Sequence, residues 1–140
     1  MIGQRVGMRI GFIGSHHGMT PAQERVLRSM LTGHKGAALH HGDCVGADAQ
    51  AHEVACSLGR DVTIHPPVNG AHRAWKASLD TRTPRPYLSR CKDIVRETDM
   101  LIAAPNEAKE QRRSGTWSTV RFARKLGKPV FVISPDGTLG

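Results

Sequence analysis

The stretch Met8-Arg-Ile-Gly-Phe-Ile-Gly-Ser-His-His-Gly18 decides the fold class of this chain. Its first six residues are mostly apolar and predict a buried strand over residues 8–13, and the loop that follows begins and ends with glycine. Thr20 and Pro21 come next, and Gln23 lies three residues after the threonine, a pattern typical of the first turn of a helix. A buried strand, a glycine loop and a helix in this order indicate a parallel α/β fold.

The rest of the chain continues the same alternation. Further strands are predicted at residues 37–40, 62–65, 100–104 and 129–133, and helices at about 21–33, 47–58, 87–97 and 115–126, whereas residues 68–86 follow no regular pattern. Five strands, four of them followed by helical patterns, predict one Rossmann-like domain over residues 1–140, with flexible ends at 1–7 and 134–140. The expected strand order is 3-2-1-4-5, with helices on both faces of the sheet. In that order the loops 14–18 and 105–116 flank the crevice where such sheets bind ligands.

Composition limits the classes of partner. The 140 residues carry a formal net charge of +8 and have a pI near 10.1, which favours anionic partners, while the low aromatic content of 4% argues against a base-stacking surface. No apolar run is long enough to span a bilayer and no signal peptide is recognisable, so we expect a cytoplasmic protein without a membrane partner. Cys44, Cys56 and Cys91 match no zinc motif and should remain thiols, and neither a metal nor a cofactor is expected.

Three segments with glycine lie between a predicted strand and a predicted helix. Glycine lets a backbone approach a ligand closely, and the amides of a first helical turn attract anions. The three segments are Gly14-Ser15-His16-His17-Gly18, Gly42-Asp43-Cys44-Val45-Gly46-Ala47-Asp48 and Ser114-Gly115-Thr116-Trp117. Each alone is often only a turn, but all three end at one edge of the predicted sheet. Together they predict a site for a phosphate-bearing ligand.

Several polar and aromatic residues near this edge have two readings each. Asp43 and Asp48 could accept hydrogen bonds from ribose hydroxyls or could cap the second helix. Trp117 could stack on a base or pack against the sheet, and Trp75 could cover the pocket as part of a lid.

Two histidine doublets, His16-His17 and His40-His41, also lie near the predicted site. Adjacent residues of a strand point to opposite faces, so a doublet is poorly suited to hold one metal ion. Polar lining or hydrogen bonding to a ligand is the favoured role for these histidines.

The run His41-Gly-Asp-Cys-Val-Gly-Ala-Asp48, the helix after it and Val62-Thr-Ile-His-Pro-Pro67 resemble the core of the SLOG superfamily. The resemblance covers about residues 9–133 and is greatest to the small YspA-like, cpYpsA-related branch. The superfamily also contains the LOG-type phosphoribohydrolases and the DNA-processing protein A family. The resemblance implies a Rossmann-like fold, a nucleotide or NAD-derived ligand and a homodimer.

The second half of the chain is similar to the LOG-type motifs, with one departure. Arg90 matches the arginine of an Arg-Lys pair whose lysine position is Cys91 here, and Ser114-Gly115-Thr116 matches the core of a Pro-Gly-Gly-x-Gly-Thr-x-x-Glu loop. Thr119 falls where that motif carries its catalytic glutamate, and threonine can neither stabilise an oxocarbenium-like centre nor activate water. The phosphate-binding elements are therefore carried over, and the catalytic function is not.

Three functions are compatible with these residues. The favoured one is a nucleotide-binding module that acts as a sensor or sequestering protein. The alternative is a nucleoside-monophosphate N-glycosidase, in which Arg90 would hold phosphate or sugar and Asp43 or Asp48 would supply the carboxylate; Glu53 is a further carboxylate in the same region. DNA binding is the third, but a solvated basic surface explains the charge more simply.

Overall fold

The computed structural model describes residues 7–140, and its elements alternate along the chain. Over these residues there are six strands, β1 (Arg9–Gly14), β2 (Ala38–His41), β3 (Val62–Ile64), β4 (Asp80–Thr81), β5 (Met100–Ala104) and β6 (Val130–Val132). There are four α-helices, α1 (Pro21–Gly33), α2 (Ala47–Ser57), α3 (Tyr87–Glu97) and α4 (Gly115–Lys125), and a short 3-10 helix at Gly70–His72. Within this part of the chain no helix combines the length and apolar character needed to cross a bilayer.

The strands form one parallel sheet in the order β4-β3-β2-β1-β5-β6. The α/β class is confirmed, but the predicted count of five strands is wrong. The additional strand β4 has two exposed residues and pairs with β3 through Thr63 and Asp80, whose side chains also share a 2.7 Å hydrogen bond. An exposed two-residue strand has no apolar pattern from which it could be predicted. The other five strands lie in the predicted order.

Apolar side chains cover both faces of the sheet. On one face α1 and α2 bury a cluster that includes Leu27, Leu31 and Val54 against Ile10 and Phe12 of β1. The opposite cluster, under α3 and α4, is built from Ile13, Cys91, Val95, Leu101, Ala103, Trp117, Val120, Ala123 and Val132. The alternation of Phe12 and Ile13 between the two clusters is the two-residue period of a strand with both faces buried.

Helix α1 is fixed at both its cap and the sheet. Thr20 and Gln23 form a reciprocal capping box, with the threonine hydroxyl accepting from the Gln23 amide at 3.1 Å. The Gln23 side chain also donates to the carbonyls of Pro105 and Ile133, at 2.8 and 2.9 Å. One buried glutamine therefore joins the start of α1 to the ends of β5 and β6.

The C-terminal residues, for which the sequence predicts a flexible end, fold back onto β6 in the structure. Val132 and Gly140 exchange two backbone hydrogen bonds of 2.9 and 2.8 Å. A turn containing Asp136 and Gly137 reverses the chain, and Gly137 has a φ of 89°, which favours glycine. The predicted flexible residues 1–6 lie outside the described part of the chain.

The sheet order fixes where a ligand crevice can form. β1 lies between β2 and β5, so the chain leaves the sheet in opposite directions on its two sides. The loops after β1 and β5 start side by side, and the amide of Ser15 donates to the carbonyl of Ala104 at 3.2 Å. A crevice outside these carboxyl ends is the usual ligand site of such a sheet.

Candidate functional site

A cleft of about 590 Å³ opens between the loops that follow β1 and β5. The predicted first and third glycine segments form two of its walls, and the loop after β5 forms a third. The lining residues are Gly14, Ser15, His16, His17, Cys44, Pro67, Asn69, His72, Tyr87, Asn106, Glu107, Gln111, Arg113, Ser114, Gly115 and Thr116. This size suits a nucleotide or a cofactor of similar mass.

The loop after β1 is held by backbone hydrogen bonds and close packing. The Ser15 carbonyl accepts from the amides of Gly18 and Ala47, at 3.0 and 2.9 Å, which docks the loop onto the start of α2. A Cβ atom on Gly14 would lie 2.5 Å from the Cβ of Ala47, so only glycine allows this contact. The Ser15 hydroxyl accepts from the His17 amide at 3.0 Å, and the loop turns towards the cleft.

The third segment begins α4 at the opposite wall. The Ser114 hydroxyl caps the helix by accepting from the Trp117 amide at 3.2 Å. A Cβ atom on Gly115 would lie 2.2 Å from the Tyr87 hydroxyl oxygen, so glycine makes room for the tyrosine beside the cleft. The cap uses the Trp117 amide; the amides of Gly115 and Thr116 have no partner within their own helix, so they are available to an anion here.

Most residues of the second segment contact other parts of the protein, and of this segment only Cys44 lines the cleft. Asp43 is fully buried with a φ of 58°, and its carboxylate accepts from Arg73 Nε at 3.0 Å and the Lys76 amide at 2.9 Å. Asp48 is 1% exposed and accepts from the Cys44 amide at 3.2 Å. Neither carboxylate faces the cleft, so neither is placed to hold a ribose in this structure.

The glycines and alanine of this segment serve packing. A Cβ atom on Gly46 would lie 2.4 Å from the His16 carbonyl oxygen, and Gly46 has a φ of 88°. On Gly42 it would lie 1.1 Å from Nη1 of Arg90. Ala47 is fully buried below Gly14. These residues bring the first loop and Arg90 into contact with the second loop rather than forming the cleft surface.

Arg90 lies directly beneath the cleft, with 1% of its surface exposed. Its Nη2 donates to the Cys44 thiol at 3.0 Å, its Nη1 lies 4.0 Å from the Asp48 carboxylate, and its guanidinium carbon lies 4.7 Å from the Tyr87 ring centre. Among the described residues its Nε and Nη1 have no hydrogen-bond partner. Cys44 and Tyr87 thus separate a buried positive charge from the cleft, and such a charge is costly unless something compensates it.

Burial also shifts the acid–base behaviour of these neighbours. Burial raises the pKa of Asp48 to about 6, although the Arg90 guanidinium opposes the shift. Burial raises the pKa of the Cys44 thiol, and the Asp48 carboxylate adds to the effect. Cys44 is therefore a neutral thiol at neutral pH.

The four doublet histidines separate into two groups. His16 and His17 line the cleft, with ring centres 4.1 Å apart, and His72 joins them at 5.3 Å from His16. His40 and His41 point to opposite faces of the sheet, as the strand pattern predicts, and neither lines the cleft. His40 instead contacts His65, and His41 contacts His52.

Neither tryptophan lines the cleft. Trp117 is 5% exposed and packs in the cluster under α3 and α4, which favours its packing reading over base stacking. Trp75 is 68% exposed, with a φ of 59°, and the Arg73 guanidinium lies 3.8 Å from its ring centre. Thr119, at the position of the LOG glutamate, is buried and donates to the Gly115 carbonyl at 2.9 Å.

Sequence reasoning missed several residues that line the cleft. Asn106, Glu107, Gln111 and Arg113 come from the loop after β5, which was predicted to flank the crevice but was not assigned binding residues. The signal was the length and polarity of that loop, since long loops at this edge are commonly functional. Tyr87 gave no such signal because its position depends on how α3 packs.

Comparison with known proteins gives structural neighbours only. No family model matches the chain, and no curated protein matches it in sequence. The molybdenum cofactor binding protein from the phototrophic bacterium Rippkaea orientalis superposes with a TM-score of 0.73 at 23% identity, over 94% of this chain and 78% of that one. The molybdenum cofactor carrier protein from Chlamydomonas reinhardtii gives 0.64 at 19%, over 90% and 76%.

A nucleic-acid-binding protein shares the same architecture. DNA processing protein A from Helicobacter pylori, described by its single-stranded DNA binding mode, has a TM-score of 0.62 at 20% identity, over 91% of this chain and 65% of that one. Identities this low establish a common fold and nothing about the ligand. The chain therefore shares a Rossmann-like α/β fold with these proteins.

Proposed function

We propose that this chain is a single SLOG-like module that binds a nucleotide or nucleotide derivative in the cleft, as a sensor or sequestering protein. Within the superfamily we place it in the YspA-like branch, on the sequence motifs quoted above. The ligand's phosphate would lie between the loop after β1 and the start of α4. Its nucleoside part would extend along the loop after β5.

The observation that carries this proposal is that the loop after β1 and the start of α4, both of a kind that binds phosphate, face each other across one cleft. Ser15 and Thr116 both line it, and the first turn of α4 begins at its wall. Backbone amides, hydroxyls and a helix N-terminus are the usual components of anion sites.

Two positive charges add to the attraction for an anion. Arg113 lines the cleft, and Arg90 lies beneath it with two nitrogens that have no hydrogen-bond partner within residues 7–140. A positive charge in a low-dielectric environment acts more strongly on a nearby anion than an exposed one does.

The structural neighbours are consistent with a phosphate-bearing ligand. Their names describe binding of the molybdenum cofactor and of single-stranded DNA, and both of these ligands carry phosphate groups. This shared chemistry is consistent with an anionic ligand and leaves its base or ring system to experiment.

An N-glycosidase is the alternative that one observation favours. Glu107 lines the cleft, so a carboxylate is present there although the LOG glutamate is replaced by Thr119. Neither Asp43 nor Asp48, the carboxylates suggested by the sequence, faces the cleft. Incubation with nucleoside monophosphates, followed by chromatography for the free base, tests this alternative; absence of base from every nucleotide excludes it.

DNA binding is the other alternative, supported by the neighbouring DNA processing protein A and by the basic residues of the loop after β5. Lys109, Arg112 and Arg113 lie in that loop. Binding of this type would weaken steeply with salt, because it releases counterions from the DNA. The affinity for a nucleotide held by directed hydrogen bonds would depend on the salt concentration much less.

The proposal is tested by thermal shift over a panel of nucleotides, cyclic nucleotides, NAD, ADP-ribose and single-stranded DNA. A bound ligand raises the melting temperature by mass action. The variant Gly115→Val places a side chain against Tyr87 at the start of α4, and we expect it to abolish the shift. Gly33→Ala is the matched control, because nothing lies within 4 Å of a Cβ atom there. A full shift in Gly115→Val would contradict the proposed site.

Light scattering on the same samples would check the expected homodimer.

A further inference from the structure

Outside the cleft, three potential metal ligands meet on the α3 face of the sheet. His40 comes from β2, His65 follows β3 directly, and Glu97 is the last residue of α3. None of them lines the cleft. We propose that His40, His65 and Glu97 form a binding site for one zinc-class divalent transition-metal ion. This goes beyond the proposed ligand site and does not depend on it.

The backbone alone brings the two histidines to the same face. His40 lies opposite Thr63 in the parallel register of β2 and β3, so these two side chains point the same way. His65 lies two residues beyond Thr63 and returns to that face. The sheet therefore holds both imidazoles side by side, and their exposed fractions are 3% and 2%.

The distances fit a metal ion. His40 Nδ1 lies 2.9 Å from His65 Nε2, and Glu97 Oε1 lies 4.0 Å from the first nitrogen and 3.9 Å from the second. A triangle with these sides has a point about 2.1 Å from each corner, and Zn–N and Zn–O bonds are about 2.0–2.2 Å long. Two histidines and one carboxylate with an open fourth position are a recurrent donor set for zinc.

The protonation state suits a ligand role. Burial lowers the pKa of His40 to about 4, and burial lowers the pKa of His65 as well, so both rings are neutral at neutral pH. In the metal-free protein one of the two nitrogens must carry a proton, because they share a hydrogen bond. Metal binding would move that proton to the other nitrogen of the same ring, leaving both lone pairs for the ion.

One cation competes for the carboxylate. Arg82 donates to Glu97 Oε1 at 2.9 Å and also pairs with Asp80 at 2.6 Å. Its side chain is 44% exposed, so it can move into solvent while keeping its contact with Asp80. We therefore expect Arg82 to lower the affinity for the metal without blocking the site.

A second histidine pair on the other face provides an internal control. His41 Nε2 lies 2.9 Å from His52 Nδ1, the same separation as in the first pair. In this pair His41 also accepts from the Asp43 amide, and the neighbouring Glu53 is paired with Lys76. Within residues 7–140 the His40, His65 and Glu97 set is the one group of three such side chains close enough to share an ion. A histidine hydrogen bond alone thus does not distinguish the pairs; a carboxylate oxygen within 4.0 Å of both ring nitrogens does.

The test is zinc titration of the untagged full chain, followed by calorimetry and by competition with a chromophoric chelator. We expect one Zn²⁺ per chain, and a loss of affinity of about tenfold or more in Glu97→Gln and in His65→Ala, since ligand removal exceeds the effect of a lost supporting contact. His52→Ala should bind like the wild type, and Arg82→Gln should bind more tightly. Cobalt absorption in the visible range should report tetrahedral nitrogen and oxygen ligands.

Glu97→Gln changes a side chain that is 36% exposed at a helix end, so it keeps the test valid if His65→Ala does not fold. Circular dichroism of each metal-free variant checks that the variant is folded. Failure of the wild type to bind Zn²⁺ would overturn the proposal. So would wild-type affinity in Glu97→Gln, or an equal loss in His52→Ala. Nucleotide shifts measured on the same Glu97→Gln variant should be unchanged, which separates this site from the cleft.

Discussion

The first and second glycine loops look alike in sequence but have opposite roles in the structure. The loop after β1 turns Ser15, His16 and His17 towards the cleft, whereas the loop after β2 directs Asp43 inward to Arg73 and Lys76. Both loops follow a buried strand and precede a helix. The difference lies in the side chains: Asp43 is fully buried and its carboxylate is paired within the protein, whereas His16 and His17 line the cleft, where a ligand can reach them.

The largest expected effect is a loss of folding stability at low pH, caused by the buried histidines beside the second loop. Burial lowers the pKa of His41 to about 3 and the pKa of His40 to about 4. His41 is joined to the second loop because its ring accepts a hydrogen bond from the Asp43 amide. The folded state therefore binds fewer protons than the unfolded state below about pH 6.5, and stability falls as the pH falls from there towards 4 and 3. Asp48, with a pKa raised to about 6, works in the opposite direction between pH 6 and 4.

His40 and His41 outweigh Asp48 by about one proton, which corresponds to about 1.4 kcal/mol per pH unit. The lowered pKa values of His52 and His65 act in the same direction as those of His40 and His41. Urea unfolding at pH 6 and pH 4 should therefore show a loss of about 3 kcal/mol or more over these two units. A free energy of unfolding that stays constant or increases as the pH falls from 6 to 4 would contradict the neutral, buried state of the histidines next to the second loop.

The next largest effect should come from Asp43→Asn. This change removes the charge that accepts from Arg73 and Lys76, and hydrogen bonds to charged groups contribute about 1.5–3 kcal/mol. We expect a loss of about 2 kcal/mol in the free energy of unfolding and no change in nucleotide affinity. Glu53→Gln is the control, because its ion pair with Lys76 is exposed. Lost nucleotide affinity in a folded Asp43→Asn protein would instead support the ribose-binding reading.

Ser114→Ala should have a smaller effect on stability and a measurable one on binding. It removes the cap of α4, which costs about 1 kcal/mol. Because Ser114 also lines the cleft, calorimetry with the best ligand of the panel should show weaker binding as well. Capping alone would lower the melting temperature and leave the dissociation constant of the folded protein unchanged.

The smallest effect is expected for Arg113→Gln. Arg113 lines the cleft from a loop that is mostly exposed, and exposed charges contribute up to about 1 kcal/mol. We expect about threefold weaker binding at low salt and less difference at high salt, because salt screens the interaction. Lys125→Gln, on the far end of α4, is a control that removes the same charge away from the cleft. Equal effects of both changes would indicate a diffuse field instead of a local contact.

Local signals in the sequence were sufficient for most of the fold. The Thr20 and Gln23 capping box and the apolar strands β1 and β5 appear where the residue pattern predicts them. Strand β4 was missed because two exposed polar residues pair only through their contact with β3. In each of these cases the outcome follows from whether the segment carries a capping or apolar pattern of its own.

The site was harder to predict, since the partners that decide each role are far apart in sequence. Asp43 is paired with Arg73, 30 residues later, and Arg90 is buried beneath Gly42. No spacing rule connects such residues. The sequence could therefore name the loops at the edge of the sheet, but it could not separate the residues that face the cleft from those that support it.

The opposite environments of the two tryptophans give the protein a built-in pair of optical reporters. Trp117, enclosed between α4 and the sheet, should emit at short wavelength and change only when the core opens. Trp75 is exposed to solvent next to the Arg73 guanidinium. Its fluorescence should be quenched by iodide and should change with any movement of the segment that Asp43 holds in place. The single-tryptophan proteins Trp75→Phe and Trp117→Phe would therefore allow loss of the whole fold to be timed separately from release of that segment, without an attached dye.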